Sequence, residues 1–190
     1  MALAVVAKAS VMFALLAAAP PATLGYRVDP ANSDVAAKVS FMGVGSRTAN
    51  FPAMSGAVTL SPAAMDRFDL NVRIDARQLT ASDTPITNRL KGKNFFDVAA
   101  HPTVSFSGKA LTMTGPTTGT VKGDLTARGV TKPVTLAVTF SAPPARASGR
   151  EAIGLTGKTT INRRDFGMTA YSLIVGKQVT ITIRTRLVPV

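Results

Sequence analysis

Most of the chain after residue 26 alternates apolar and polar side chains with a period of two. The segment FDLNVRIDA places Phe68, Leu70, Val72, Ile74 and Ala76 on one face. The segments VTLAVTF and VTITIRTRL repeat the pattern with Val134, Leu136, Val138 and Phe140 and with Val179, Ile181, Ile183 and Leu187. Because successive side chains of a strand point to opposite faces, this alternation indicates strands with one solvent-facing and one buried face.

Eight segments follow this pattern, and sequences rich in Gly, Pro and Ser separate several of them. The expected strands lie near residues 35–41, 48–60, 67–76, 103–112, 119–127, 132–141, 151–161 and 177–188. Between the third and the fourth, Asp83 and Pro85 are typical of a helix start and Gly92 of a helix end, which predicts one short helix. Antiparallel strands with one buried face close into a barrel or stack as a sandwich, so the chain is predicted to be all-β.

Small side chains occupy many of the positions expected to point inward. They share parity with apolar neighbours on their strands and comprise Ala37, Ala49, Ala53, Gly123, Ala127, Gly157 and Thr159. Protein interiors pack at crystal-like density, so these small residues, in a chain without Trp, predict a hollow that an apolar guest occupies. The alternative is that Gly123 and Gly157 mark corners of a barrel around which the core packs without a cavity.

The chain has no Cys and one His, and this restricts its chemistry. Thiol nucleophiles, disulfides and thiolate or multi-histidine metal sites are excluded, so no metal is expected. A Ser-His-Asp triad would have to use His101, but Pro102 favours extended backbone at that residue, directly ahead of a strand. His101 is interpreted as a surface or turn residue, with a headgroup contact and a general base as alternatives. No catalytic residue is assigned.

The first 25 residues are typical of a secretory signal peptide. They combine Lys8 with the apolar run ASVMFALLAAA, which is long enough for a signal core but too short to span a bilayer. Cleavage is expected after Ala22 or after Gly25, and the alternative is a buried amino-terminal strand or helix. We therefore expect a periplasmic protein, or as an alternative a secreted one, with a single domain over residues 26–190.

The charge of the chain is strongly positive. Removal of Lys8 with the signal peptide lowers the formal net charge from +12 to +11. Such a surplus attracts anionic surfaces, and lipid headgroups are the anions that an exported protein meets. An anionic membrane surface is therefore an expected partner and nucleic acid is not, while the oligomeric state stays open, with a homodimer as one alternative.

Five segments carry a resemblance to a known family. In chain order they are YRVDPANS, FFDVAAHPTVSF, GDLTARGVTKPVTLAVTF, TINRRDFGM and VGKQVTITI. The chain resembles the YceI-like family, lipocalin-like barrels of the bacterial periplasm that bind polyisoprenoid lipids. The resemblance implies an eight-stranded antiparallel lipocalin-like barrel, with the short helix between strands three and four covering one end of a long apolar tunnel. It also implies a polyprenyl phosphate, an isoprenoid quinone or a similar long-chain amphiphile as ligand, with no other cofactor.

The chain departs from the family at three positions where relatives carry histidine. Asn32, Ser40 at the start of SFMGVG, and Arg89 occupy these positions here. If those histidines hold a polar headgroup in relatives, this protein either holds a different headgroup or uses Asn32, Arg89 and neighbouring cations instead.

Two groups of residues are predicted to form the binding site. The apolar cavity wall is expected to include Phe41, Leu70, Val72, Ile74, Phe95, Phe96, Phe106, Leu125, Leu136, Val138, Phe140, Leu155, Ile181 and Ile183. The candidates for headgroup contacts are Arg89, Lys91, Lys93 and Arg164. The alternatives are ordinary core packing for the phenylalanines of NFF and a solvent-exposed helix face for the lysines. The segment INRRDFG is interpreted as a structural turn, with ligand contact as the alternative, and Arg163 or Arg164 is expected to pair with Asp165 or with an anionic headgroup.

These expectations converge on a non-enzymatic protein that binds, carries or sequesters a long isoprenoid or acyl lipid. Each buried methylene contributes about 0.8 kcal/mol, so about ten of them provide ~8 kcal/mol before ordering costs. The tail then supplies most of the affinity, and the headgroup supplies selectivity. One alternative is a basic envelope-surface or adhesion-modulating module with a filled barrel, and another is a hydrolase or isomerase that uses His101.

Overall fold

The structure is a computed structural model that describes residues 22–43 and 45–190. The strands in these ranges are β1 (Leu24–Val28), β2 (Asp34–Phe41), β3 (Gly45–Phe51), β4 (Met54–Leu60), β5 (Phe68–Asp75), β6 (Thr103–Met113), β7 (Thr118–Ala127), β8 (Val130–Phe140), β9 (Ile153–Asn162) and β10 (Val175–Pro189). One α-helix, α1 (Thr84–Lys91), joins β5 to β6. Short 3-10 turns lie at Pro30–Asn32, Ala76–Gln78, Pro144–Arg146 and Arg163–Phe166.

Eight antiparallel strands close into a barrel because β1 pairs on both of its sides. Tyr26 of β1 lies opposite Val58 of β4 and also opposite Pro189 of β10. The ring therefore runs from β1 through β4, β5, β6, β7, β8, β9 and β10 back to β1. The hairpin of β2 and β3 pairs with the first part of β10 and extends the wall at one end. The all-β, eight-stranded antiparallel barrel is confirmed.

The strand boundaries differ from the sequence prediction at the start of the barrel. The segment 48–60, predicted as one strand, is divided at Pro52 into β3 and β4, because proline has no N–H for a ladder hydrogen bond. β1 is absent from the predicted strands, since its five residues are too few for a clear alternation.

The predicted signal peptide falls mostly on residues 1–21, which lie outside the described residues. β1 begins at Leu24, and Leu24 and Gly25 pair with the last residues of β4. Cleavage after Gly25 would remove two paired residues from β1, whereas cleavage after Ala22 would leave this strand intact. The cleavage itself stays a prediction.

α1 forms where its capping residues predict it. The Asp83 carboxylate accepts a hydrogen bond from the Ile86 N–H at 2.7 Å, and the Gly92 N–H donates to the Arg89 carbonyl. Pro85 occupies the first turn, where a missing N–H has no cost. The helix lies in the connection between the end of β5 and the start of β6, which pair with each other, so it lies at one end of the barrel. Within the described ranges, no helix has the length and apolar character needed to cross a bilayer.

The two ends of the barrel differ in how they are filled. Large buried side chains meet where β4 finishes and β5 begins, among them Tyr26, Leu60, Phe68, Leu111, Val121 and Phe140. We call this the closed end. The opposite end, which we call the open end, carries α1, the turn of the β2–β3 hairpin and the loop between β9 and β10.

Gly123 and Gly157 do not border empty space, which corrects the expectation that they leave room for a guest. A Cβ on Gly123 would lie 2.3 Å from the Ser107 carbonyl oxygen, and one on Gly157 would lie 3.1 Å from Leu136 Cδ2. Gly123 instead permits the close approach of β6 and β7 beside the register shift after Gly108. For these two glycines the alternative interpretation, that they serve the barrel wall, is right.

The substitution Gly123→Ala is expected to destabilise the barrel by about 1–3 kcal/mol, because the new methyl group would collide with backbone atoms that cannot rotate away. Gly25→Ala is the matched control, since a Cβ there would lie 3.6 Å from Val190 Cγ2, an ordinary contact. Urea unfolding of both variants measures the effect. Equal losses of stability would contradict the steric explanation.

Candidate functional site

The barrel encloses an apolar cavity of about 120 Å³, which we call the inner chamber. Its wall includes the predicted cavity residues Leu70, Val72, Ile74, Phe96, Phe106, Leu125, Leu136, Leu155, Ile181 and Ile183. The small residues Ala37, Ala127 and Thr159 also line this chamber. Their short side chains leave the volume that larger residues would fill.

The surface of the inner chamber is apolar throughout. Cavities of comparable size that are lined by Leu, Ile and Phe stay dry and take up apolar molecules. The chamber is therefore suited to hydrocarbon and unsuited to water or to a charged substrate. An open interior of this kind disagrees with the alternative of a filled barrel.

A second cavity of about 210 Å³, the outer chamber, lies at the open end. Its wall includes Phe41, Arg47, Ile86, Arg89, Leu90, Phe95, Tyr171 and Ile174. Five residues line both chambers, namely Ala37, Phe96, Arg163, Met168 and Val179. The two chambers are therefore neighbours, and the flexible Met168 side chain is part of the wall between them.

β10 runs past both chambers and gives the site its length. Val175 borders the outer chamber and Leu187 borders the inner chamber. At ~3.3 Å per residue this stretch of strand is about 40 Å long, or about 30 Å along the axis of a barrel with strands tilted by ~40°. The site is thus elongated and suited to a chain-shaped ligand.

Aromatic rings hold two arginines at the rim of the outer chamber. Arg89 Cζ lies 5.3 Å from the ring centroid of Tyr171, and Arg47 Cζ lies 4.8 Å from that of Phe41. Tyr171 in turn stacks on Phe95, with ring centroids 6.0 Å apart and planes inclined by 8°. Contact through the face of a guanidinium group leaves its in-plane N–H donors available.

In the described part of the chain, the rim arginines Arg47 and Arg89 form no ion pair with a carboxylate. Within residues 22–43 and 45–190, the one ion pair joins Arg77 and Asp75 at 2.9 Å. Arg47 and Arg89 are both exposed at the mouth of an otherwise apolar chamber. A phosphate or carboxylate headgroup placed between them would gain charge-assisted and bidentate hydrogen bonds.

Arg163 is buried, with 3% of its surface exposed, and it borders both chambers. Its Nε donates to the Gly176 carbonyl at 2.9 Å, its Nη2 to the Val175 carbonyl at 3.0 Å, and its Nη1 to the Met168 carbonyl. Burial, and to a lesser degree the neighbouring Arg164, lowers the pKa of this guanidinium. Arg163 thus ties the loop between β9 and β10 to the first residues of β10.

The pairing of Arg163 or Arg164 with Asp165 is absent, which corrects that part of the sequence analysis. The Asp165 carboxylate accepts a hydrogen bond from Asn162 Nδ2 at 3.1 Å, while Arg163 turns inward and Arg164 is exposed. Asn162 caps the short 3-10 turn, and Gly167 ends it with a φ of 74°. The segment INRRDFG therefore forms a structural turn whose first arginine supports the site.

Several predicted site residues line neither chamber. Val138 and Phe140 are buried, but β8 has by then reached the closed end of the barrel. Of the four headgroup candidates, all within the described ranges, only Arg89 borders a chamber. Lys91, Lys93 and Arg164 lie on the surface around the open end. For the two lysines, this position agrees with the alternative of a solvent-exposed helix face.

Asn32 and His101 also lie away from the chambers. Asn32 is exposed, and its Nδ2 donates to Asp29 Oδ2 at 2.7 Å. The His101 N–H donates to the Asp97 carbonyl at 2.8 Å, and its ring packs on Gly129, where a Cβ would lie 2.9 Å from His101 Cε1. His101 therefore supports the turn between β7 and β8, in agreement with its interpretation as a turn residue.

Several members of the site are missing from the sequence analysis, among them Arg47, Met168 and Tyr171. Arg47 lies on the inward face of β3, at the parity of the buried Ala49 and Phe51, so its position in the alternation is the signal that could have found it. Met168 and Tyr171 belong to a loop that has no strand periodicity. The only available signal is the apolar content of that loop, which is unusual for a surface connection.

The comparisons with known proteins agree with this geometry. The sequence matches the YceI-like domain over residues 26–187. The chain belongs to the YceI family. A UPF0312 protein of Pseudomonas syringae pv. syringae strain B728a is 30% identical over 157 residues, or 82% of each chain.

Two solved structures share the YceI barrel. BcnA of Burkholderia cenocepacia is 26% identical and superposes with a TM-score of 0.74, covering 84% of this chain and 98% of its own. A polyisoprenoid binding domain from Saccharophagus degradans, implicated in plant cell wall breakdown, is 15% identical with a TM-score of 0.64 and covers 88% and 99%. At this low identity the second structure shows that the fold is shared.

The substitution Arg163→Met is expected to lower the free energy of unfolding of this YceI barrel by about 3 kcal/mol or more. The carbonyls of Gly176, Val175 and Met168 would lose their donor where water has little access, at ~1–3 kcal/mol for each group. Arg164→Met is the matched control at an exposed neighbouring position, with an expected effect of about 0.5 kcal/mol or less. If urea unfolding gave equal losses, the role of the buried guanidinium would be refuted.

Proposed function

We propose that this YceI protein binds a long-chain isoprenoid or acyl amphiphile and carries or sequesters it without chemical conversion. The observation that carries the proposal is the pair of apolar chambers in the barrel, about 120 and 210 Å³ in volume, with Arg47 and Arg89 at the outer rim. The tail occupies the inner chamber, and the headgroup lies in the outer chamber.

The apolar wall supplies the affinity for the tail. Every methylene that leaves water contributes about 0.8 kcal/mol. The inner chamber exposes no polar group that would have to lose its hydration when the methylene enters. A chain that extends along β10 from Val175 toward Leu187 places many methylenes in this environment. Ordering of the chain subtracts from the gross gain, so affinity in the nanomolar to micromolar range is the physical expectation.

The two rim arginines supply the selectivity for the headgroup. Arg47 and Arg89 approach the outer chamber from β3 and α1, so an anionic group between them is contacted from two sides. The site requires an apolar tail for the inner chamber and a headgroup that accepts hydrogen bonds from both arginines. A polyprenyl phosphate has both, a branched apolar tail and a phosphate with several acceptor oxygens. An isoprenoid quinone satisfies the first requirement and accepts weaker hydrogen bonds at the second.

Two further observations support a binding role, and one prediction supports a location outside the cytoplasm. The neighbour from Saccharophagus degradans is a polyisoprenoid binding domain, which favours the isoprenoid class of tail. His101 supports a turn and lies away from the chambers, which favours binding over catalysis. The signal peptide predicted in residues 1–25 favours the periplasm as the place of action, with secretion as the alternative.

The substitution Ala37→Phe is expected to reduce uptake of a polyprenyl phosphate by about tenfold or more. Ala37 lines both chambers, and displacing as few as two methylenes costs about 1.6 kcal/mol. Ala36→Phe is the matched control, because Ala36 adjoins Ala37 on β2 but lines neither chamber. Native mass spectrometry of each variant with added polyprenyl phosphate measures the bound fraction.

Circular dichroism of both Phe variants reports the folded fraction. Unchanged uptake by folded Ala37→Phe would overturn the proposed function. Should that variant not fold, Ala127→Phe tests the same point from β7, since Ala127 also lines the inner chamber.

The double substitution Arg47→Gln with Arg89→Gln is expected to reduce the preference for polyprenyl phosphate over the neutral polyprenol by about tenfold or more. Hydrogen bonds to charged groups contribute ~1.5–3 kcal/mol each, and the phosphate can form several with the two guanidinium groups, whereas the neutral hydroxyl has one oxygen and no charge to pair with them. Competition between the two lipids in detergent measures the preference. Lys91→Gln with Arg164→Gln removes the same charge from residues that line neither chamber, and an equal loss there would assign the preference to net charge.

A further inference from the structure

An exposed apolar patch surrounds the mouth of the outer chamber. The rim patch consists of Met42, Tyr171, Leu173 and Ile174. Leu173 is 99% exposed and Met42 is 62% exposed, so the patch is open to solvent. Large apolar side chains that are grouped on loop tips mark a surface that contacts an apolar partner.

The rim patch is held together by backbone contacts and a constrained backbone. The Met42 N–H donates to the Ile174 carbonyl at 2.7 Å, which joins the β2–β3 turn to the loop before β10. Met42 and Tyr171 both adopt positive φ values, 52° and 56°, which are uncommon for residues other than glycine. Two loops from distant parts of the sequence thus present their apolar tips side by side.

The charges around the rim patch are predominantly positive. The cations of the open end outside the protein core include Arg47, Arg89, Lys91, Lys93, Arg128, Lys132, Arg164 and Lys177, against the carboxylates Asp83, Asp97 and Asp165, while Arg77 and Asp75 pair with each other. The loops and strand ends at the closed end are balanced, with Arg67, Arg146 and Arg150 against Asp66, Asp69 and Glu151. The positive charge that surrounds an apolar tip is therefore a property of one end of the barrel.

We propose that the open end docks on an anionic lipid bilayer, with the rim patch inserted among the headgroups and the surrounding lysines and arginines in contact with lipid phosphates. Apolar side chains on a basic surface match the two layers of such a bilayer, an anionic surface above hydrocarbon. The inference goes beyond the proposed function, because it concerns an external surface. Tyr171 and Ile174 belong to both the rim patch and the outer chamber, so docking places the mouth of the cavity against the bilayer.

The absence of Trp from the sequence permits a direct test. Leu173→Trp introduces a single indole at the centre of the rim patch. The control Val190→Trp introduces one at Val190, a residue that is 89% exposed and lies away from the rim patch. Each variant is mixed with phosphatidylcholine vesicles with and without phosphatidylglycerol. A blue shift of emission and quenching by brominated acyl chains are expected for Leu173→Trp with phosphatidylglycerol, and neither is expected for Val190→Trp.

The contribution of the cations is tested by Lys93→Gln with Lys177→Gln, two residues that line neither chamber. Vesicle affinity is expected to fall by about fivefold for each charge and to weaken as salt is added. Arg146→Gln with Arg150→Gln removes the same charge from the closed end and should have little effect. Equal losses in the two pairs, or no response of Leu173→Trp to anionic vesicles, would overturn the inference.

The same variants distinguish docking on lipid from self-association of the protein. A shift in Leu173→Trp emission that depends on protein concentration without vesicles would show that a second copy covers the rim patch, and this too would overturn docking on lipid. Uptake of polyprenyl phosphate from detergent is expected to be unchanged in Leu173→Trp, because Leu173 lines neither chamber. If Leu173→Trp takes up polyprenyl phosphate but does not bind anionic vesicles, docking alone is refuted. If it binds these vesicles but takes up no polyprenyl phosphate, the proposed function alone is refuted.

Discussion

The double pairing of β1 is the constraint on which the rest of the structure depends. A sheet with free edges exposes unpaired N–H and C=O groups, and β1 removes both edges by pairing with β4 on one side and β10 on the other. Once the ring is closed, every inward side chain faces a common interior. Eight strands enclose a space that side chains just fill or that holds one small ligand, so the sizes of inward residues decide between the two outcomes.

Those sizes change along the barrel axis. Large side chains such as Tyr26, Phe68 and Phe140 meet at the closed end, whereas Ala37 and Ala127 line the interior nearer the open end. The free volume is therefore concentrated toward the mouth. The wall of this volume is apolar, and the cations lie outside it or, in the case of Arg163, have their donors occupied by backbone carbonyls. A ligand meets charge at the rim and hydrocarbon below.

The outer chamber and the rim patch share their boundary. Tyr171 lines the outer chamber, stacks on Phe95, lies against Arg89 and also belongs to the rim patch. A bilayer contact that moved Tyr171 would therefore alter the mouth of the chamber. If the open end docks on a bilayer as proposed, an apolar tail can pass from the membrane into the cavity without a long path through water. Exposure of the tail to water is the costly step for such a ligand.

Local sequence patterns predict the strand faces, the helix and the general nature of the interior. Alternation along β5, β8 and β10 has a period that only a strand satisfies, and Asp83 with Gly92 delimits α1 through local hydrogen bonds. Which inward residues border free volume depends instead on how the strands pack in three dimensions. Gly123 and Gly157 share parity with cavity residues, yet the approach of neighbouring strands and side chains fills the space beside them. Tertiary packing likewise decides that Arg47, on the inward face of β3, borders the outer chamber and that the Arg163 donors bind backbone carbonyls, because both outcomes depend on how neighbouring segments pack.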